Sequence, residues 1–203
     1  MSILTHLPME WSLRTARLLL RRYELTDAPA MLDAKLASEE ELKLWMPWAK
    51  HGFEEETLEG QKKRIAERMV AWVHGVEYNM GMFLSDGSYV GDVSLHARHP
   101  FVRGVGIGYW LATPHTGQGY MTEALLALTA YAFEHSQPRV WLVCDANNAA
   151  SEMVMRRCGF ELEGRLKNAG VNNNGQPRDT LMYAHTPASW KSFTHARSCP
   201  HTR

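Results

Sequence analysis

The sequence predicts a mixed α/β (α+β) domain in which a sheet of strands is flanked by helices. Short apolar runs bounded by turn residues indicate strands, and apolar residues that recur every three or four positions indicate helices. Residues 106–131 contain both patterns, a strand and a long apolar helix joined by the glycine-bearing loop 116–120. Along the chain the patterns follow one another as strand, helices, three strands, helix, strand, helix and two strands.

The first half of the chain is predicted to begin with a strand at 17–23. Thr26 or Asp27 can cap the helix that follows and runs to about Leu36. Gly87 lies in a turn between two strands and can adopt the positive φ that a tight hairpin requires. The other predicted elements of this half are a helix at 38–45, a connection at 45–48, an amphipathic helix at 54–72, and strands at 78–84 and 89–96.

The second half is predicted to surround one buried helix. The helix after loop 116–120 is apolar on so many sides that it should be nearly enclosed by protein. A later helix can be capped by Asn147 or Asn148 and ended by Gly159. The predicted strands of this half are 106–112, 139–144, and a final hairpin that pairs 160–167 with 180–185 across the loop 170–177.

Composition and charge narrow the class of protein. The chain has 203 residues, 45% of them hydrophobic, and its 22 lysines and arginines are matched by 22 acids. This balance suits one soluble domain and argues against bulk binding of nucleic acid or of an acidic membrane. No apolar run reaches the roughly 18 residues that span a bilayer. Three cysteines in unlike contexts and the lack of a secretion signal indicate a cytoplasmic protein.

No metal site is predicted. His96 and His99 are three positions apart, so on a strand they face opposite sides and do not share an ion. His195, Cys199 and His201 belong to the end of the chain, which is expected to be flexible.

The loop from Thr116 to Tyr120, Thr-Gly-Gln-Gly-Tyr, is the strongest functional signal. A helix start carries unpaired N–H groups and the positive end of the helix dipole, and glycines let the backbone close around an anion. A diphosphate is therefore the expected ligand, although glycines at a strand–helix junction also occur as plain turns. The chain lacks the dinucleotide-binding G-x-G-x-x-G pattern and the Gly-Lys-Ser/Thr of a Walker loop.

Three motifs in order, with an opening Thr-Ala-Arg-Leu-Leu-Leu-Arg at 15–21, resemble the GCN5-related N-acetyltransferase (GNAT) superfamily. Within it the chain is similar to the ribosomal-protein N-acetyltransferase type. The motifs are Gly-Ile-Gly-Tyr-Trp-Leu at 106–111 leading to Gly-Gln-Gly-Tyr-Met-Thr-Glu-Ala at 117–124, Asn-Ala-Ala-Ser at 148–151 with Cys-Gly-Phe at 158–160, and Phe-Glu-Leu-Glu-Gly-Arg at 160–165.

The resemblance implies a domain at 12–187, followed by a tail at 188–203 that is expected to be flexible. It implies a mostly antiparallel sheet of six to seven strands, splayed in the middle and flanked by about four helices. The implied activity is transfer of the acetyl group of acetyl-CoA, a co-substrate, to a primary amine by direct attack in a ternary complex. The acceptor would be a small molecule or a protein N-terminus, and the protein a monomer or homodimer. The alternative is a non-catalytic module of the same fold that binds acyl-CoA and regulates.

Matching the family motifs residue by residue also implies contacts to the coenzyme. The loop amides would hold the diphosphate, and the strand before the loop would pair with the pantetheine arm as a peptide joins a sheet edge. The implied contacts are Tyr109, Trp110, Leu111, Thr116, Gly117, Gln118, Gly119, Tyr120, Met121, Asn148 and Ser151. The Tyr109 and Trp110 side chains fit a core role equally well, and Asn148 fits a cap. Thr116 departs from the usual Arg or Gln, and Met121 from the usual Ala.

The catalytic groups are less well defined. Ser151 is a candidate general acid for the departing thiolate, or a capping hydroxyl. The general base is open, because the positions where family members often carry a glutamate are Gly106 and Gly170 here. His96 and Asp92 are candidates that share one face of a strand.

Other groups could take part at the acceptor side. His51 and Glu163 are further candidates for the base, and a water chain that serves several weak bases would be an equivalent solution. Trp45 and Trp48 either line the acceptor pocket or pack the helical layer, and Trp72 has the same two interpretations.

Overall fold

A computed structural model describes residues 7–53, 56–96 and 103–198, and these form one eight-stranded sheet with six α-helices. The strands are β1 (Ser12–Arg14), β2 (Leu18–Arg22), β3 (Tyr78–Leu84), β4 (Tyr89–His96), β5 (Val105–Leu111), β6 (Val140–Asp145), β7 (Glu161–Val171) and β8 (Pro177–His185). The helices are α1 (Ala28–Leu36), α2 (Glu39–Trp45), α3 (Leu58–Val73), α4 (Tyr120–Glu134), α5 (Ala149–Arg157) and α6 (Pro187–Ser198).

The sheet parts in its middle. The strand order is β1-β2-β3-β4-β5-β6-β8-β7, and every neighbouring pair is antiparallel except β5 and β6. These two central strands are parallel and pair at only two positions, Val105 with Val140 and Gly106 with Trp141. The rest of β5 diverges from β6. The predicted splayed, mostly antiparallel sheet is confirmed.

The two faces of the sheet have different coverings. Because side chains alternate along a strand, one face of β3 to β6 is apolar and forms a continuous core with α4. That core includes Met80, Val93, Ile107, Leu142, Leu125 and Leu128. The opposite face carries small and polar residues on β4 and β5 and is partly covered by α1 and α3. The candidate site lies where this second face meets the parting of the sheet.

Several local predictions are confirmed. Strands β3 and β4 have the predicted bounds, and Gly87 in their turn has φ +86°. Asn148 caps α5, since its side-chain oxygen accepts from the Ser151 N–H at 3.0 Å, and Gly159 follows this helix with φ +80°. Helix α4 is nearly enclosed, and Glu134 at its end is its exposed residue.

Some predicted bounds and caps are wrong. Asp27 does not cap α1 with its side chain, because its carboxylate binds the Arg21 guanidinium and the Glu24 N–H instead. Helix α3 begins at Leu58 rather than 54, where Thr57 accepts from the Gly60 N–H; residues 54 and 55 lie outside the described ranges. The final hairpin is longer than predicted on both strands and leaves only residues 172–176 as its loop.

The end of the chain contains one helix more than predicted. Residues 187–198 form α6, in which Trp190 and Phe193 pack against His185 at 5.4 and 5.7 Å between ring centroids. With α6 and the short β1, the described chain has more helices and strands than expected. Residues 199–203, including Cys199 and His201, lie outside the described ranges.

Candidate active site

The divergence of β5 from β6 leaves half of β5 without a strand partner on that side. After Gly106 no β6 residue pairs with β5, whereas β4 continues to pair with it as far as Leu111. The backbone groups of the unpaired half that point toward β6 are therefore available to an extended ligand, as at the edge of a sheet.

Loop 116–120 closes one end of this gap. It follows the 3₁₀ turn Thr113–His115, and Gly117 and Gly119 have φ of +75° and +80°, a conformation that favours glycine. Gly119 is the N-cap of α4 and supplies no side-chain hydrogen bond to the first turn. The first amides of α4 thus lack a side-chain cap and are suited to bind an anion.

Arg17 holds the loop in place. Its guanidinium donates to the Gln118 carbonyl at 2.9 Å and to the Glu123 carboxylate at 2.6 Å. It also stacks over the Tyr120 ring at 4.6 Å, and a Cβ at Gly119 would lie 3.5 Å from it. Glu123 also accepts from the Arg17 backbone N–H at 2.8 Å and from the Thr15 hydroxyl at 2.6 Å. The opening motif thus acts as a clamp on the loop, a role that the sequence motif alone did not specify.

A cleft of about 370 Å³, here called the loop cleft, runs from this loop into the gap. Predicted coenzyme contacts that line it are Tyr109, Trp110, Leu111, Thr116, Gly117, Gly119, Tyr120, Met121, Asn148 and Ser151. Gln118 is not in the lining, and its side chain turns back toward the Pro114 carbonyl at 3.5 Å. Residues not predicted for it also line the cleft: Glu41, Leu42, Trp45 and Met46 from the α2 region, and Arg157 at the end of α5.

Two hydroxyl groups meet inside the loop cleft. The Tyr109 hydroxyl is 2.8 Å from Ser151 Oγ and also donates to the Ser151 carbonyl at 3.2 Å. Burial raises the pKa of Tyr109 well above its usual value, so the phenol stays protonated. The Tyr109 hydroxyl therefore has a polar partner in Ser151, in addition to the packing of its ring.

A second cavity of about 560 Å³, here called the sheet cavity, lies on the face of the sheet that carries the small and polar residues. Its floor consists of neighbouring residues on three strands, in which Asn79 pairs with Ser94 and Ser94 with Gly108. Asp92, His96 and Trp48 also line it, as do Glu77 and Arg68. The sheet cavity and the loop cleft share Met46, Tyr109 and Trp110 in their linings.

Asp92 is part of a buried ion pair. It is 5% exposed, binds the Arg68 guanidinium at 2.8 Å and accepts from the Tyr23 hydroxyl at 2.9 Å. Although burial disfavours the charge, Asp92 raises the pKa of Arg68; burial, together with Asp92, raises the pKa of Tyr23. Both contacts end on the same carboxylate oxygen, Oδ2, so the carboxylate that the sequence predicted as a candidate base is engaged in an ion pair.

His96 keeps a more open position. Its Nε2 is 3.0 Å from Ser94 Oγ, and its Nδ1 is 3.4 Å from a carboxylate oxygen of Glu77. Its side chain is 42% exposed, and it faces the sheet cavity. The sequence placed His96 and Ser94 on one face but did not bring in Glu77, which directly precedes β3.

The other sequence candidates are more remote. Glu163 on β7 forms an ion pair with Arg139, and His51 lies on an exposed turn after Ala49. Trp72 is 1% exposed in the core beside Trp11 and Tyr78, so it lines neither cavity.

The two tryptophans predicted for the acceptor pocket separate. Trp48 lines the sheet cavity, whereas Trp45 lines the loop cleft, where its indole donates to Glu41 at 2.8 Å.

The two glycines that replace family carboxylates have different surroundings. A Cβ at Gly106 would lie 2.6 Å from the Trp141 ring, so no larger residue fits there without moving that ring. A Cβ at Gly170 would have its nearest contact, the Thr180 hydroxyl, at 3.4 Å. The loss of a carboxylate at 106 is therefore tied to the indole that fills its space.

The described residues contain neither a metal-binding cluster nor a membrane-spanning helix. Over 7–53, 56–96 and 103–198, no group of three or more His, Cys, Asp or Glu residues could hold a metal ion. No helix in the same part of the chain is long and apolar enough to cross a membrane.

Comparisons with known proteins show which proteins this chain is similar to. A family model for the acetyltransferase (GNAT) domain matches residues 17–161. YdaF of Bacillus subtilis (strain 168), by name a candidate ribosomal N-acetyltransferase, is 30% identical over 173 residues, 85% of this chain and 92% of YdaF. The ribosomal-protein-serine acetyltransferase of Escherichia coli (strain K12) is 34% identical over 106 residues, 52% of this chain and 59% of that protein. The structure of RimL, a ribosomal L7/L12 alpha-N-protein acetyltransferase in complex with coenzyme A, has a TM-score of 0.77 at 27% identity and covers 87% of this chain and 98% of its own.

Proposed function

Since the chain belongs to the GNAT acetyltransferase family and is an acetyl-CoA-dependent N-acetyltransferase, we propose that it acetylates a primary amine by direct attack in a ternary complex. One observation carries this proposal: the loop cleft and the sheet cavity are two cavities that share Met46, Tyr109 and Trp110 in their linings. A donor in the first and an acceptor in the second would bring their reacting atoms together at the unpaired half of β5.

The donor fits the loop cleft. The uncapped amides at the start of α4 and the open space beside Gly117 suit a diphosphate, and Arg157 adds a positive charge to the lining. The unpaired backbone of β5 suits the amide groups of the pantetheine arm. Acetyl-CoA supplies an acetyl thioester, and a β5 N–H could stabilise the charge that develops on its carbonyl oxygen.

Different side chains would carry the two proton transfers, one from the amine and one to the leaving sulfur. His96, open to the sheet cavity, is our choice of general base, because Asp92 is already bound to Arg68 and Tyr23. On the other side, the hydroxyl pair of Ser151 and Tyr109 would donate a proton to the leaving sulfur.

The acceptor is proposed to be a protein N-terminal α-amine. RimL and the E. coli enzyme are named for ribosomal-protein substrates, and the RimL name specifies an alpha-N acceptor. The sheet cavity is wide, and Trp48 at its rim is 46% exposed, so it could receive the first residues of a peptide.

Two measurements test the proposal. Calorimetry measures the binding of coenzyme A. Thiol release from acetyl-CoA is measured with three acceptors: a peptide that begins with serine, a copy of this peptide with a blocked N-terminus and one lysine, and a small primary amine. We expect binding, and turnover with the free peptide confirmed by mass spectrometry of the acetylated product. Binding without turnover on any of the three would favour the non-catalytic acyl-CoA module, which the missing carboxylates at Gly106 and Gly170 also fit.

A further inference from the structure

We propose that Ser94, His96 and Glu77 form a chain that accepts the proton of the acceptor amine, in which Glu77 positions His96 and fixes its tautomer. The proposal rests on the acetyl transfer proposed above and extends it to a residue on the edge of β3. In this proposal Ser94 and His96 take the proton from the reacting amine, and Glu77 acts through His96.

The three side chains lie in sequence along the wall of the sheet cavity. His96 Nδ1 is 3.4 Å from Glu77 Oε1, and Nε2 is 3.0 Å from Ser94 Oγ. An ionised carboxylate can only accept a hydrogen bond, so Glu77 at this distance favours the tautomer that carries its proton on Nδ1. In that tautomer Nε2 keeps its lone pair and accepts from the Ser94 hydroxyl.

A glycine on the next strand makes room for this contact. Ser94 pairs with Gly108, and a Cβ at Gly108 would lie 2.9 Å from Ser94 Oγ and 3.0 Å from His96 Nε2. Any larger residue at 108 would displace the atoms that the proposed chain needs.

The position of His96 also explains how a base can reach the amine although residue 106 is a glycine and carries no carboxylate. That place is filled by the Trp141 ring, which would meet a Cβ at 2.6 Å. His96 is the residue paired with Gly106 on the adjacent strand, and neighbours in register point to the same face. The imidazole thus approaches the same region of the sheet from β4 instead of β5.

The proton balance is simple. The ammonium gives one proton to Ser94 Oγ while the Ser94 hydroxyl proton passes to His96 Nε2, and the imidazolium is stabilised by Glu77. The amine nitrogen then attacks the thioester carbonyl carbon, the C–N bond forms and the C–S bond breaks. His96 releases this first proton to solvent, so that the second proton of the nitrogen can follow the same path through Ser94. The leaving sulfur gains a proton from the Ser151 and Tyr109 pair, which is then reprotonated from solvent.

The first test is spectroscopic and needs no turnover. In ¹⁵N-labelled protein above pH 8, with the His96 signals identified from the His96→Ala spectrum, we expect the Nδ1–H tautomer in the wild type. Glu77→Ala should shift His96 toward Nε2–H, and Glu77→Gln, whose carbonyl can still accept, should keep much of the Nδ1–H form. An Nε2–H tautomer in the wild type, or no change in Glu77→Ala, would overturn the proposal.

The second test is kinetic, with the best amine of the panel above. Glu77→Ala should lower kcat about 10-fold with KM for the amine within about 2-fold, His96→Ala should lower kcat about 100-fold, and Ser94→Ala should also lower kcat. Glu77→Ala should have no further effect in the His96→Ala background, because the two residues act as a unit. Glu67→Ala removes a carboxylate from the same cavity wall and should leave the His96 tautomer unchanged.

Failure of this inference is distinct from failure of the proposed function. If the wild type acetylates an amine but Glu77→Ala matches its kcat, or lowers it equally with and without His96, the chain is wrong and the transferase stands. If the wild type binds coenzyme A and transfers to no amine, the proposed function itself fails. Circular dichroism melts of each variant separate loss of fold from loss of rate.

Discussion

Asp92 and His96 lie two residues apart on β4 and share one face, yet their neighbours give them different roles. Asp92 is buried, and it forms an ion pair with the half-buried Arg68 and a hydrogen bond with Tyr23. His96 has Ser94 at Nε2 and Glu77 at Nδ1, and its side chain remains 42% exposed where it faces the sheet cavity. The two residues therefore differ in their exposure and in the charge of their partners, although they share one face of a strand.

The Ser151→Ala variant tests the proposed general acid, again at the scale of a single residue. We expect kcat to fall about 10-fold to 100-fold and the Kd of coenzyme A to stay within about 3-fold, because only the hydroxyl beside Tyr109 is lost. The Asn148 cap on the residue-151 N–H remains. Steady-state kinetics and calorimetry measure the two effects. Ser192→Ala on α6, whose hydroxyl bonds the Ala188 carbonyl, is the control and should leave both values unchanged. Equal losses of rate and affinity in Ser151→Ala would assign Ser151 to binding.

Single residues of the site were predictable where a local pattern marks them. Strand alternation brought Asp92 and His96 to one face, and the asparagine cap placed Ser151 in the first turn of α5. The partners that separate their roles could not be predicted, because Arg68 lies on α3, 24 positions from Asp92. Glu77 lies beside His96 only through the pairing of β3 with β4.

At the scale of elements, α4 and its loop are the proposed coenzyme-binding unit. Gly119→Val should weaken coenzyme A binding by at least 10-fold, because φ +80° strains a β-branched residue by about 1–2 kcal/mol and the new side chain enters the cleft. Calorimetry measures the affinity, and urea unfolding measures the strain.

Gly87→Val is the matched control for this loop. It has φ +86° and open space around its Cβ position, but it lies in the β3–β4 turn and outside the loop cleft. It should cost similar stability and leave the Kd of coenzyme A unchanged. A normal affinity in Gly119→Val would show that the diphosphate does not bind at this loop.

Helix α6 gives the fold a pH-dependent contact. His185, buried beneath it, donates from Nε2 to the Cys158 carbonyl at 3.1 Å and accepts at Nδ1 from the Ser189 hydroxyl at 2.8 Å. Burial lowers the pKa of His185 below its ordinary 6.5. The unfolded state then takes up a proton at a higher pH than the folded state does, so stability is complete above pH 6.5 and falls as the pH drops below it.

The measurement is the urea unfolding free energy at pH 7.5 and pH 5. Between pH 7.5 and pH 5 the free energy of unfolding should fall more in the wild type than in His185→Gln, because the variant lacks the titrating group. An equal loss in both proteins would show that other groups govern the acid sensitivity.

The order of the elements was largely predictable, because periodicity and turn residues are local. Strands β3 and β4 were predicted to the residue, and α4 was predicted to be enclosed. Helix α6 was missed, since its weakly amphipathic sequence is stabilised by a tertiary contact, the stacking of Trp190 and Phe193 on His185. Such contacts leave little signal in a single segment.

At the scale of the whole molecule, two cavities meet beside the parting of the sheet. The family resemblance implied this parting, whereas periodicity did not, because it depends on β5 and β6 pairing at two positions only. The loop cleft and the sheet cavity share Tyr109 and Trp110 next to this parting. In the proposed function a donor in one cavity and an acceptor in the other react without an intermediate carrier on the protein.

This arrangement predicts direct transfer without an acetyl-enzyme. The two cysteines within the described residues are poor nucleophiles near neutral pH, because burial raises the pKa of Cys144 to about 11 and of Cys158 to about 12. Initial rates measured over both substrates should give intersecting lines, and mass spectrometry after exposure to acetyl-CoA alone should find no acetylated cysteine. The Cys158→Ala variant, altered in a thiol outside both cavities, should retain kcat once its fold is confirmed by melting. Parallel lines, with an acetyl group trapped on a side chain, would instead require a double-displacement route and would remove the need for the two cavities to be filled at once.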